Sequence, residues 1–184
     1  MLFRSHSVTI ITVGFLSNLA ALLRSPDGLS LVRRKVVQLV SMAGKFPSGY
    51  EFNVMKDAAA SAYVFDHWPA PVIFSGFEIG EKIKVGIPLI RDSGIRSSPV
   101  KDVFRISIPM AAEDSAGRKS WDETAVLVAV KGYAPFYRLE YGHLSVAPDG
   151  RDTWTPSTTS SQARLVEVAP PAVVQALINR VILR

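Results

Sequence analysis

The chain has no cysteine in its 184 residues, which removes disulfide frameworks, thiolate metal sites and cysteine nucleophiles together. Histidine is scarce too. His6, His67 and His143 stand far apart, and none has metal-ligand spacing to another. No serine sits in a Gly-x-Ser-x-Gly setting, so a serine-hydrolase reading has no support. No apolar run approaches the roughly 18 residues that a bilayer-spanning helix needs. Internal repeats and low-complexity tracts are absent, and with charged residues at 20% and hydrophobic residues at 48% the composition excludes disorder and coiled coil.

What is present is globular material. Twelve Gly, twelve Pro and a mean hydropathy of +0.20 describe a chain able to bury a core, and the length favours one domain, 1–184. Lys and Arg number 21 against 16 Asp and Glu, a net charge of +5 with a pI near 9.6. The basic residues are dispersed, and the densest run, Arg33-Arg34-Lys35, reads as the solvated end of a helix. No basic stripe interleaved with aromatics is present, so neither a nucleic-acid partner nor a membrane is expected. Met1 to Arg4 followed by Val8 to Leu16 resembles a signal peptide superficially. Ser5, His6, Ser7 and Thr9 interrupt it and no small-residue cleavage site follows. The reading favours a cytoplasmic protein, or an exported one if a signal lies upstream of Met1.

The hydrophobic pattern predicts an α/β fold. Val8 to Val13 is a β-branched run read as a strand buried on both faces; a helix capped by Ser17 or Asn18 follows, and a second, with Pro26 in its first turn, comes next. Val36 to Val40 and Val72 to Ser75 are further buried strands. A helix from about Asp57 to Asp66 lies between them, with Ala59, Ala62 and Tyr63 on one face. Strand–helix alternation with short connections makes a mostly parallel open sheet with flanking helices, whose ligands belong at the strand C-termini. The loops to inspect follow Val13, Val40 and Ser75, where Gly14, Met42, Glu51, Asn53, Gly76 and Glu78 sit. Further on, Pro99 to Met110 reads as helical, Ser120-x-x-Glu123 as a capping box opening a helix to about Lys131, and Asp149-Gly150 as a hairpin turn. Tyr137 to Leu139, His143 to Ala147 and Ala163 to Val168 read as strands, giving a small C-terminal hairpin. The chain closes with an amphipathic helix carrying Val174, Leu177, Ile178, Val181 and Ile182.

Segments in fixed order carry a resemblance. They are Val8 to Ala20, Met42-Ala43-Gly44, Glu51-Phe52-Asn53, Ser75-Gly-Phe-Glu-Ile79 and Ser120-Trp-Asp-Glu-Thr-Ala-Val126. Together they resemble the inosine-uridine preferring nucleoside hydrolases, in which a strand ends in a Gly-Pro-Leu-Thr-Asn-like turn, a Met-Gly-Gly follows the next strand and a Glu-Phe-Asn precedes the next helix. The resemblance implies hydrolysis of the N-glycosidic bond of ribonucleosides. It implies that Glu51 and Asn53 hydrogen-bond the ribose hydroxyls, with Met42, Phe52 and Trp121 in the substrate pocket. It implies a calcium ion held by Asp122 and by the backbone carbonyl of Val13, hard oxygen donors suited to a hard cation.

Two departures shape the expectation. The family's Asp-x-Asp-x-x-x-Asp-Asp strand is absent, so the catalytic base is expected upstream of Met1, and the chain reads as the C-terminal part of a larger domain, inactive alone. Trp121 stands where the family carries a proton-donating His. The alternative is a non-catalytic remnant or ribose-binding module without the metal. Exposed sheet edges of such a piece lead to the expectation of a homo-oligomer.

Overall fold

The computed structural model describes residues 4–183, so residues 1–3 of the signal-like stretch lie outside the described residues. The chain runs β1 (Val8–Thr12), α1 (Ser17–Arg24), α2 (Gly28–Lys35), β2 (Val36–Met42), β3 (Ser48–Gly49), α3 (Phe52–Lys56), α4 (Ala58–His67), β4 (Val72–Ser75) and α5 (Phe77–Gly80). It continues through β5 (Lys84–Val85), α6 (Ile87–Arg91), α7 (Pro99–Ser107), β6 (Arg118–Lys119), α8 (Trp121–Lys131), β7 (Tyr137–Val146), β8 (Asp152–Pro156), β9 (Gln162–Glu167) and α9 (Pro171–Ile182). Seven strands form one sheet in the order β1-β2-β4-β9-β7-β8-β3. The first four are parallel; β7, β8 and β3 extend the sheet antiparallel. Strands β5 and β6 pair separately.

Alternation along the central strands explains the two-sided core. Leu39, Val72 and Phe74 face α1, α2 and α4 through Leu19, Val32, Val64 and Phe65. Val40, Met42 and Ile73 face the other way, toward Ala125 and Val128 of α8 and Val174 and Ile178 of α9. Successive side chains of a strand point to opposite faces, so strands covered on both sides must be apolar throughout. Phe74 anchors the first layer, with ring centroids 5.0 Å from Phe65 and 6.1 Å from both Phe46 and Trp154.

The α/β class and the parallel core match the pattern read from the sequence, with local corrections. Strand β1 ends at Thr12 and lies at the sheet edge, so Thr9 is exposed and Val8, Ile10 and Ile11 are only half-buried. Helix α2 begins at Gly28, with Pro26 outside it. The buried face of α4 is Ala60, Ser61, Val64 and Phe65, because the helix packs on α1 and β7; Ala59 is exposed. Tyr137 to Val146 is one continuous strand, and the C-terminal hairpin belongs to the main sheet. Ser120 Oγ donates to Glu123 Oε2 at 3.0 Å, so the two side chains of the expected capping box bond each other and not the helix backbone. Val181 is exposed, while Val174 and Ile178 carry the buried face of α9. Glu51-Phe52-Asn53, read as a loop, opens the short helix α3.

Phe74→Ala removes a fully buried ring from the centre of this layer and is expected to lower stability by about 3–5 kcal/mol. Urea denaturation of the two proteins measures it, and a loss below about 1 kcal/mol would contradict the packing described.

Candidate functional site

Strands β1, β2 and β4 end together. Their register sets Thr12 beside Ser41 and Met42 beside Ser75, and the hydroxyls there satisfy one another: Thr12 Oγ1 donates to Ser41 Oγ at 2.8 Å, and Ser75 and Thr124 share a hydrogen bond of 3.0 Å. Immediately beyond lies a cavity of about 440 Å³. Val13, Met42, Glu51, Phe52, Asn53, Trp121 and Asp122, the seven residues singled out from the sequence, all line it, and Phe77 and Arg118 complete the wall.

Glu51 is buried at the N-cap of α3, where its two oxygens accept the N–H groups of Asn53 and Val54 at 3.0 Å each. It thereby satisfies two of the orphan donors of the helix start. What it can still offer a ligand is its remaining lone pairs. The loop before it is held by Asp152, which is fully buried. Asp152 Oδ1 accepts from Lys45 N at 3.0 Å, and Oδ2 accepts from Glu51 N at 3.2 Å. Burial pushes both carboxyl groups above the ordinary range, against the pull of those backbone donors.

Asn53 is oriented by its amide nitrogen, which donates to Met42 O at 3.1 Å and sits 3.3 Å from Met42 Sδ. Its Oδ1 therefore remains as the group that can accept a ligand hydroxyl. Trp121 Nε1 donates to Phe77 O at 2.9 Å, and the two rings lie 5.4 Å apart at 33°. Gly80 has no side chain because one would meet Trp121 Cα at 2.3 Å, so α5 and α8 are locked in close contact. Trp121 thus presents a ring and no free N–H. Asp122, in the first turn of α8, has its carboxyl raised first by partial burial and then by Glu123, with Arg118 opposing. Arg118 bonds the buried Asp114 at 2.7 Å.

This donor set does not make a calcium site. Calcium takes six to eight oxygen ligands, whereas the lining supplies the Asp122 carboxylate, Asn53 Oδ1 and the residue Val13 beside Arg118, with both Glu51 oxygens already accepting N–H groups of α3. No group of three or more His, Cys, Asp or Glu side chains gathers for a metal among the described residues.

Three participants escape sequence reasoning. Phe77 reaches the cavity from α5 and Arg118 from β6, and Asp152, readable only as a turn residue, acts across a sequence separation of 101 residues. Glu78 points elsewhere, its Oε2 accepting from Phe46 N at 3.3 Å. None of the three histidines lines the cavity.

A family model described as inosine-uridine preferring nucleoside hydrolase matches residues 1–174. No curated protein matches the chain by sequence. Among solved structures, a plant nucleoside hydrolase, PpNRh1, superposes with a TM-score of 0.75 at 18% identity, over 97% of this chain and 62% of that one. The inosine-uridine preferring nucleoside hydrolase of Bacillus anthracis gives 0.64 at 18% identity, over 100% of this chain and 61% of that one. The type III effector XopQ, solved with adenosine diphosphate ribose, gives 0.68 at 14%, over 100% and 61%. The chain therefore spans a little over three-fifths of the length of these proteins, and at such identities the likeness is one of fold.

Glu51 and Asp152 generate a pH signature. With native values above the unfolded ones, the native state binds more protons between the two, so stability falls as pH rises through that window. Glu78 and Asp122 act with the same sign. Denaturation midpoints are expected to decrease from the ordinary carboxylate range toward neutrality, with a shallower slope in Asp152→Asn. An identical slope in the variant would show that Asp152 is not one of the groups responsible.

Proposed function

The chain belongs to the inosine-uridine preferring nucleoside hydrolase family, and from that premise we propose that its cavity holds the ribosyl group of a nucleoside for hydrolysis of the N-glycosidic bond. The observation that carries this reading is the convergence of Met42, Glu51, Asn53, Trp121 and Asp122, from separate parts of the chain, on one cavity at the strand C-termini. Its volume lies in the range of small-molecule sites. A nucleoside and adenosine diphosphate ribose, the latter bound in XopQ, share a ribosyl group.

In the overall reaction the oxygen of water bonds to the anomeric carbon, the bond from that carbon to the base nitrogen breaks, and the base leaves with a proton. The residues of this chain act on the sugar. Asn53 Oδ1 and the Asp122 carboxylate accept ribose hydroxyls and fix the ring, and a carboxylate there also favours the positive charge that develops on it. Met42 packs beneath, while the Phe77 and Trp121 rings offer an apolar wall to the base. Trp121 does not protonate the leaving base, since its indole N–H is engaged with Phe77. The groups that this chain brings to the cavity hold a nucleoside, and binding is the property they are expected to show.

Calorimetric titration with inosine and with uridine tests this. The 184-residue chain is expected to bind at least one of them saturably without releasing ribose, and Asn53→Ala to weaken binding about tenfold, the scale of one good hydrogen bond. No saturable binding, or equal affinity in the variant, would overturn the assignment.

A further inference from the structure

Helices α8 and α9 cover the same face of the sheet, and between their outer sides runs an apolar groove of about 290 Å³. Val126, Leu127 and Val130 of α8 line one side of it, and Ile178, Val181 and Ile182 of α9 the other. Val126, Val130 and Val181 are exposed. The core does not need them, because Ala125 and Val128 of α8 and Val174 and Ile178 of α9 are the residues that pack on the sheet. A β-branched side chain is a poor helix former and gains nothing from water, so three such valines around one groove mark a surface made to be covered.

Charge identifies what covers it. Among the described residues the charged side chains in the groove are Glu123, in the first turn of α8, and Lys131, in the last; Arg180 of α9 stands over a neighbouring groove. Eight residues of helix advance about 12 Å, so the acid and the base stand at opposite ends with the valines between. Neither makes an ion pair among the described residues, and Glu123 accepts the Ser120 hydroxyl on Oε2, one oxygen of its two. An acid at one end and a base at the other is a pattern complementary to its own reverse. With α8 antiparallel to a second α8 about a two-fold axis beside Leu127, Glu123 of each copy meets Lys131 of the other, and the valines of both copies lie between. A partner helix of one charge sign would leave one end unmatched, and an anionic membrane surface would repel Glu123.

We propose that the α8–α9 face is the interface of a homodimer, in which two copies of this chain pack α8 against α8 antiparallel with a Glu123–Lys131 pair at each end. The contact lies on the helical layer, not on the open edge of β1 where sheet pairing would extend. It is independent of what the strand-end cavity binds.

Sedimentation equilibrium of the full chain, from about 1 to about 100 µM, tests this. A species of twice 20.1 kDa is expected. Val130→Asp, at a position 70% exposed and outside the core, is expected to weaken association about a hundredfold. Two-fold symmetry uses each residue twice, so Glu123→Lys alone and Lys131→Glu alone each weaken it about tenfold. The double variant E123K/K131E recovers the parental affinity to within about threefold. Urea midpoints measured in dilute solution, where the parent is monomeric, are expected to agree among the variants; Lys131→Glu, at the exposed end of α8, keeps the test decisive if Glu123→Lys disturbs the bond to Ser120. A chain still monomeric at the highest concentration overturns the proposal. So does a dimer that Val130→Asp leaves intact, as one joined through β1 would be, or a double variant that associates no more tightly than the single ones.

Discussion

Asp152 is a carboxylate buried in the sheet, and the wall of the cavity depends on it. An isolated charge in such a place is strongly unfavourable; this one persists because its oxygens accept backbone N–H groups from Lys45 and Glu51. Those bonds fasten the loop after β2 onto β8. Once Glu51 is fixed, its own carboxylate caps α3, and the start of α3 sets Phe52 and Asn53 at the cavity. An acid on one antiparallel strand thus positions groups at the mouth of the parallel strands, through a relay made wholly of backbone donors and side-chain acceptors.

The opposite wall is fixed by close packing. Gly80 lets α8 approach α5, and the indole N–H of Trp121 closes the contact on the carbonyl of Phe77. The same bond removes the polar capacity of Trp121, so the residue shapes the cavity without exchanging protons. With Trp121 bonded to Phe77, the polar capacity left to the cavity lies in Asn53 Oδ1, the Asp122 carboxylate and the remaining lone pairs of Glu51. That set suits the hydroxyl groups of a sugar; it does not enclose a calcium ion.

Much of this was legible in the sequence, for identifiable reasons. The apolar continuity of Val36 to Val40 and Val72 to Ser75 reports strands covered on both faces, and the strand-end rule leads to the loops that hold Met42, Glu51 and Asn53, whereas Asp122 is reached only through the family resemblance. Elements failed where neighbours decide the outcome. Strand β7 read as two strands because Glu140-Tyr141-Gly142 breaks the apolar pattern, yet Gly142 is needed there, since a Cβ would lie 2.4 Å from the Trp154 ring. Helix α3, at five residues, is too short to show a period, and exists because Glu51 caps it. The buried face of α4 follows from its packing on α1 and β7, information absent from its own residues.

The sequence by itself determined the layer order, the parallel core and which side chains stand at the strand ends, because hydrophobic period and turn chemistry are local properties. Tertiary structure alone decided which of those polar groups are committed and which are free. Asp152 became a support, Glu51 a helix cap and Trp121 a wall through hydrogen bonds to partners far away in the chain. A hydrogen bond is settled by distance and direction in space, and no spacing along the chain encodes either.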